Sequence, residues 1–180
     1  MLEGKLVNLR VVEKEELPLL AEWFSNLEVR GEYEGVRQFS KSDFEKEFGT
    51  EDKHEWKDFF IEKKDGTKIG VICHFYVLHP AGIRLLEIGY TVLPNERGKG
   101  YCTEAVNIMV DYLFMSKDMM RIQVTTDPRN LASQKVLEKA GFKKEGTLRK
   151  WGFLRGEVRD GYLYSILREE WKEPRILTKR

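Results

Sequence analysis

The segment with the clearest chemical potential spans residues 93–104 and carries two closely spaced glycines, Gly98 and Gly100. Glycine lets successive backbone N–H groups converge on one point without interference from a Cβ atom. A helix is predicted to follow, and a helix N-terminus presents free N–H groups and the positive end of its dipole. Arg97 and Lys99 add positive charge. These features predict an anion site suited to a pyrophosphate.

Two other phosphate-binding motifs do not fit this segment. A Walker-type loop needs a glycine at position 93 and Ser or Thr directly after the lysine, where the chain has Leu93 and Gly100. A dinucleotide fingerprint needs a third glycine at position 103, where Thr103 stands. It also needs an acidic residue about 20 positions further on, where Arg121 and Gln123 stand. From the loop alone, an ordinary glycine-rich turn stays open as the alternative.

The composition argues against several other classes of function. Of 180 residues, 41% are hydrophobic and 34% charged, which is typical of a folded globular chain. Lys plus Arg number 31 and Asp plus Glu 30, so the net charge of +1 gives no field that would attract nucleic acid. The two cysteines and three histidines show no metal-ligand spacing, and no metal site is expected.

The N-terminal residues and the hydropathy bear on the location of the protein. Charged residues recur every few positions from the first residue onward, so no secretion signal is expected. No apolar run approaches the roughly 20 residues that a membrane-spanning helix needs. With two unpaired cysteines in addition, we expect a cytoplasmic protein with no membrane partner.

The elements that must position the glycine loop follow from hydrophobic periodicity. It predicts strands at 5–12, 56–62, 68–77, 84–93, 121–125, 142–149 and 162–167, and helices at 13–25, 42–48, 100–116 and 130–140. The strand–helix–strand unit at 84–125 predicts a right-handed crossover with parallel pairing. Asn130 is a suitable N-cap for the last helix. We expect one α/β domain with a mixed sheet over residues 1–180.

Two motifs in correct order resemble those of the GCN5-related N-acetyltransferase (GNAT) superfamily, in its RimJ/RimL-like branch. The cofactor signature Gln/Arg-x-x-Gly-x-Gly/Ala reads Arg97-Gly98-Lys99-Gly100-Tyr101-Cys102, with Cys102 departing from the usual Gly or Ala. The sequences of residues 87–90, 127–133 and 136–142 are similar to the family's fourth strand and fourth helix. The resemblance covers essentially the whole chain. It implies a twisted, mostly antiparallel sheet of about seven strands flanked by about four helices.

The resemblance also implies an activity, the direct transfer of acetyl from acetyl-CoA to a primary amine. The backbone N–H groups of Gly98, Lys99, Gly100, Tyr101, Cys102 and Thr103 would then hold the pyrophosphate. Backbone groups of Val92 and Leu93 would pair with the pantetheine, with the Leu93 N–H as donor to the thioester oxygen. Asn130 would contact the pantetheine arm, in addition to or instead of its capping role.

Two side chains are candidates for the chemistry. Ser133 stands where this branch carries a hydroxyl near the cofactor sulfur, and we expect it to act as general acid; the alternative is a simple polar residue of the first helical turn. Glu87 is the candidate general base, and a solvated residue or an ion pair with Arg84 is its alternative. Gly152 occupies the place where some ribosomal-protein acetyltransferases carry an acid. Covalent catalysis by Cys102 is not expected.

The acceptor side of the site is less specific in sequence. Glu32, Tyr33 and Glu34 lie in the region that lines the acceptor cleft in relatives, and their carboxylates could attract a cationic amine or form a solvated surface. A protein N-terminal amine, a polyamine and an aminoglycoside-like amine are all compatible. A homodimer is common among relatives. The alternative function is a non-catalytic acyl-CoA-binding or regulatory module on the same fold.

Overall fold

The computed structural model describes residues 1–48, 56–78 and 84–177 of the chain. Eight strands form one sheet in the order β1-β2-β3-β4-β5-β6-β8-β7. The strands are β1 Leu2–Glu3, β2 Val7–Val11, β3 Lys57–Lys63, β4 Lys68–Leu78, β5 Arg84–Val92, β6 Arg121–Thr126, β7 Lys143–Leu154 and β8 Glu157–Leu167. The helices are α1 Leu17–Ser25, α2 Leu27–Arg30, α3 Lys41–Phe48, α4 Tyr101–Ser116 and α5 Leu131–Lys139. This confirms the predicted fold class, with one more strand and one more helix.

The pairing of β5 with β6 positions the site. All other neighbouring strands pair antiparallel, whereas β5 and β6 run parallel and are joined through α4. Their paired residues are Leu86↔Ile122 and Glu87↔Gln123, near the start of each strand. Beyond these pairs β5 continues to Val92 while paired with β4. A gap therefore opens between the ends of β5 and β6.

The sheet separates two hydrophobic cores, because successive side chains of a strand point to opposite faces. Phe59 and Ile72 pack with α4 in the larger core, together with Ile88. Their neighbours Phe60 and Val71 pack with α1 and α3 on the other face. Over the described ranges, no helix has the length and hydropathy that a bilayer crossing requires.

Two elements differ from the prediction. Residues 27–30 form α2, which Asn26 caps by accepting from the N–H groups of Glu28 and Val29. The closing strands are also longer than predicted and meet in a two-residue turn at Arg155 and Gly156, both with positive φ (54° and 81°). That backbone is the one that tight hairpins favour. β7 is a mostly exposed edge strand, so it lacks the apolar alternation from which a strand is predicted.

Candidate active site

The glycine loop ends at the N-terminus of α4 in the conformation that an anion site requires. Gly98 and Gly100 have φ of 76° and 86°, a left-handed backbone that favours glycine. Gly100 is the N-cap of α4, and no side chain caps this helix end. The first N–H groups of a helix have no intrahelical acceptor, so those of α4 are available to a ligand.

The space above the loop is open as well. A Cβ atom placed on Gly98 would meet nothing within 4 Å, and one on Gly100 would meet only a methyl group of Leu6 at 3.9 Å. The glycines are therefore needed for their backbone angles and not to avoid a collision with the protein. A convergent set of N–H groups on an open face fits a diphosphate group.

The two basic side chains of the loop are engaged within the protein. Arg97 Nε donates to the carbonyl of Val92, and its guanidinium also donates to the carbonyl of Val29, both at 2.9 Å. Lys99 lies 2.9 Å from Glu96, which also pairs with Lys63 at 2.6 Å. These two lysines lower the pKa of the Glu96 carboxyl. Arg97 thus holds the loop against β5 and α2, and Lys99 is the exposed cation nearest the glycines.

Tyr101, Cys102 and Thr103 form the first turn of α4, where the sequence analysis placed the end of the pyrophosphate site. Cys102 is half-buried and packs against the larger core. Burial raises the pKa of its thiol to about 12, so the thiolate that a covalent mechanism would need is strongly disfavoured.

The assignment of the Leu93 N–H as donor to the thioester oxygen is wrong. The Leu93 N–H donates to the carbonyl of Ile69 on β4 at 2.9 Å and is not available to a ligand. Backbone groups alternate between the two sides of a strand. The N–H of Val92 therefore points away from β4, toward the gap between β5 and β6. The Val92 carbonyl points the same way, where it accepts from Arg97.

Asn130 and Ser133 lie at the start of α5, on the other side of this gap. Asn130 is the N-cap of the helix, as predicted, and its Oδ1 accepts from the Ser133 N–H at 3.0 Å. The Oγ of Ser133 lies 2.9 Å from the hydroxyl of Tyr90 on β5. Burial raises the pKa of Tyr90, with the nearby Cys102 contributing, so its hydroxyl stays protonated and can donate. The two hydroxyls therefore form a bridge across the gap.

Glu87 projects from the opposite face of β5, into a cleft of about 740 Å³. Its Oε2 accepts from Gln123 Nε2 on β6 at 2.9 Å. The side chain of Arg84, the alternative partner, lies outside the described part of the chain. Since Gln123 is neutral, the contact orients the carboxylate without neutralising its charge.

The cleft is the candidate acceptor side of the site. Its described lining residues come from α1, α2 and the segment after it, the residue before β3, strands β4 to β7, and the β7–β8 turn. They are Phe24, Arg30, Glu34, Gly35, Val36, Arg37, Phe39, Trp56, Val71, Cys73, Phe75, Glu87, Ile88, Gly89, Tyr90, Thr91, Thr125, Trp151, Phe153, Leu154, Arg155 and Gly156. Tyr90 belongs both to this lining and to the bridge with Ser133. The cleft thus reaches the gap where the predicted cofactor residues lie.

Of the three predicted acceptor residues, the structure brings Glu34 to the cleft and not Glu32 or Tyr33. Glu34 pairs with Arg30 at 2.9 Å, and burial raises the pKa of its carboxyl. The carboxyl of Glu32 interacts with the hydroxyl of Tyr33, and this contact raises the pKa of the tyrosine. Glu32 and Tyr33 are not among the lining residues of this cleft, and their assignment to the acceptor stays a prediction.

Sequence reasoning missed Tyr90 and Gln123. In the sequence, Tyr90 stands out only as part of a family-like strand, and its partner Ser133 is 43 positions away. Gln123 carries no motif of its own. The parallel register of β5 and β6, which places Gln123 beside Glu87, is the signal that could have found it.

A family model described as the acetyltransferase (GNAT) domain matches residues 7–143. The chain belongs to the GNAT acetyltransferase family. This GNAT protein is 35% identical over 113 residues to the uncharacterised N-acetyltransferase p20 of Bacillus licheniformis, over 63% of each chain. The matched stretches span 56–63% of the length of the first three curated relatives.

Two solved structures place this GNAT protein among known folds. The ribosomal-protein-S5-alanine acetyltransferase of Vibrio fischeri superposes with a TM-score of 0.80 at 25% identity, over 95% of this chain and 98% of that one. The spermidine N-acetyltransferase of Vibrio cholerae in complex with CoA and spermine superposes with a TM-score of 0.82 at 21% identity, over 93% and 99%. The second likeness shows the fold alone.

Proposed function

We propose that this protein is an acetyl-CoA-dependent N-acetyltransferase that moves acetyl directly to a primary amine. The observation that carries the proposal is the meeting of two sites at one end of β5. The glycine loop with its open helix N-terminus lies just beyond this end of the strand, and the acceptor cleft reaches the gap at Tyr90. A donor and an acceptor bound in these two places would come together without any covalent carrier on the protein.

Different groups of the chain bind different parts of acetyl-CoA. Backbone N–H groups of Gly98 through Thr103 hold the diphosphate, which fits the open face over Gly98 and Gly100. When bound, acetyl-CoA supplies the activated acetyl thioester. The Val92 N–H faces the gap and is the donor placed to stabilise negative charge on the thioester oxygen. Asn130 keeps its capping role and fixes the first turn of α5 beside the gap.

Two proton movements complete the reaction. An alkylamine has a pKa of about 10.4 in water and must lose a proton before or during its attack. Glu87, oriented by Gln123 and facing the cleft, is the group that accepts this proton. Ser133, bridged to Tyr90, is the group that delivers a proton to the leaving sulfur. The base and the acid thus approach the reacting atoms from opposite faces of β5.

The test combines an acetyl-transfer screen with the Glu87→Gln variant. Loss of a positioned base commonly lowers kcat by about 10²–10⁴-fold. The loss should be greatest at lower pH, where the amine is hardest to deprotonate. The pH–rate profiles of wild type, Glu87→Gln and the exposed-site control Glu22→Gln are compared on the best amine of the screen.

Two results would count against the proposal. Acetyl-CoA binding by calorimetry without turnover on any amine would favour a non-catalytic acyl-CoA-binding module. An unchanged profile for Glu87→Gln would remove this residue as base while leaving the transferase assignment in place.

A further inference from the structure

We propose that the acceptor of this enzyme is a monoamine carried on an aromatic or similarly bulky apolar body, and not a polyamine. Aromatic rings line the cleft, and among its described lining residues the arginines outnumber the glutamates. The inference rests on the proposed function and specifies the substrate class of the same site. It also separates this chain from the structural neighbour named for spermidine, whose likeness extends to the fold.

Aromatic rings form the walls of the cleft. Trp56 and Phe75 stack in parallel with centroids 4.4 Å apart and 9° between their planes, which gives one wall a flat apolar surface. Phe24 and Phe39 contribute rings from the side of α1. A ligand body that covers such faces gains free energy in proportion to the apolar area removed from water.

Two further rings stand at the cleft on the β7–β8 hairpin. Trp151 is 46% exposed and Phe153 is 71% exposed, although both line the cleft. A large exposed ring is common on protein surfaces, but two at the rim of one cleft offer an apolar surface that an entering ligand can cover.

The charges in the cleft oppose a polycation. Among the described lining residues, three are arginines (Arg30, Arg37 and Arg155) and two are glutamates (Glu34 and Glu87). Glu34 is already paired with Arg30 at 2.9 Å, and burial raises the pKa of its carboxyl. Of the two lining glutamates, Glu87 is therefore the one that can interact with the reacting amine. Each further ammonium of a polyamine would be desolvated beside guanidinium groups without a partner of its own.

Arg155 links the β7–β8 turn to residues 31–35 on one side of the cleft. Arg155, in the turn between β7 and β8, donates to the backbone carbonyls of Gly31 and Glu34. A Cβ placed on Gly35 would lie 3.9 Å from a methyl group of Leu154, so the two segments are neighbours. The hairpin and the 31–35 segment therefore close the cleft on one side with a positive charge, which is again unfavourable for a polycation.

The experiment measures kcat/KM of the full chain with acetyl-CoA and three amines: 4-phenylbutylamine, n-butylamine and spermidine. We expect 4-phenylbutylamine to exceed each of the others by at least about tenfold. Changing both rim rings, Trp151→Ala with Phe153→Ala, should lower kcat/KM for 4-phenylbutylamine at least several-fold more than kcat/KM for n-butylamine. Met120→Ala removes an equally exposed apolar side chain away from this cleft and is the matched control.

A second variant tests the charge argument separately. Arg37→Glu reverses the sign of one lining residue and should raise kcat/KM for spermidine several-fold. A wild-type preference for spermidine, or a 4-phenylbutylamine advantage that survives loss of both rings, would overturn the inference and leave the transferase assignment intact. Transfer to none of the amines, in this set or in the wider screen, would overturn both.

Discussion

Tyr90 and Ser133 form the contact on which the proposed proton delivery depends. Their oxygens are 2.9 Å apart, and either hydroxyl can donate to the other. Burial raises the pKa of the Tyr90 phenol, so it does not ionise at neutral pH and keeps a proton for the bridge. Ser133 is the nearer candidate acid, and Tyr90 acts through it as a positioning residue.

A double-mutant cycle tests this pair. Ser133→Ala should lower kcat by roughly 10²-fold and Tyr90→Phe by roughly tenfold, with little change in KM for acetyl-CoA. If the two hydroxyls act as a unit, the double variant should be hardly slower than Ser133→Ala alone. Tyr112→Phe, which changes a half-buried tyrosine on α4, serves as control. Additive effects would show that Tyr90 acts independently of Ser133.

Part of this residue-scale arrangement could be predicted from sequence. The need for glycine at positions 98 and 100 and the capping by Asn130 follow from local backbone chemistry, and the structure has both. The donor in the gap could not be assigned from composition, because a shift of one residue along β5, from Val92 to Leu93, reverses the direction of the N–H group. Such a choice depends on the register of the sheet.

At the scale of elements, α4 holds both ends of the described chain through two buried carboxylates. Glu104 accepts from the N–H groups of Lys5, Leu6 and Val7 at 2.6–3.1 Å. Asp111, two turns further on, accepts from the indole of Trp171 and from the backbone N–H groups of residues 175–177. The helix that presents the anion site is therefore fixed at its N-terminal turn.

Replacing Glu104 with Gln tests this anchoring. The substitution exchanges one acceptor oxygen for an NH₂ group that faces backbone donors, so the free energy of unfolding should fall by about 1–3 kcal/mol. Chemical denaturation of the variant, with the exposed Glu22→Gln as control, measures the loss. Because residue 104 lies in the helical turn proposed to hold the diphosphate, the affinity for acetyl-CoA should fall as well. Undiminished stability would show that the three N–H groups find other acceptors.

The elements differ in how far sequence predicts them. The central strands and α4 bury one defined face, so their apolar residues recur at regular spacing. This periodicity predicts their bounds to within a few residues. The β7–β8 hairpin was predicted too short, because an edge strand held mainly by backbone pairing needs no such pattern. Its positive-φ turn uses Arg155 where Asn is more usual.

At the scale of the whole molecule, the sheet keeps the two halves of the site on opposite faces. The larger core packs beneath α4 and α5 on the donor side, and the smaller one packs beneath α1 and α3 on the acceptor side.

Asp58 of β3 lies on the acceptor face beside its cross-strand partner Cys73. Burial raises the pKa of its carboxyl to about 6, and an interaction with the side chain of Trp56 opposes this rise.

The stability of the molecule should therefore depend on pH through Asp58. The folded state holds this proton more tightly than an unfolded chain, where the pKa is 3.8. Between about pH 4 and 6 the folded state binds more protons, so this group's contribution to the free energy of unfolding decreases as pH rises. The decrease should total about 1–3 kcal/mol.

Thermal and chemical unfolding of Asp58→Asn would measure the effect. The variant should be more stable than wild type at pH 7–8, and the difference should vanish near pH 4. Asp118→Asn, at an exposed site, is the control for the general effect of removing a carboxylate. A difference between wild type and Asp58→Asn that does not vary with pH would contradict the assignment.

The separation of the two cores by one sheet has a consequence for how new specificities can arise. The proposed donor half includes Tyr90, Tyr101 and Cys102, which pack against the larger core, so changes there carry a higher risk of unfolding. The rings at the rim of the acceptor cleft are largely solvent-accessible and contribute little to either core. A combinatorial library confined to that rim could therefore diversify the amines accepted while the folded scaffold and its acetyl-donor chemistry stay constant.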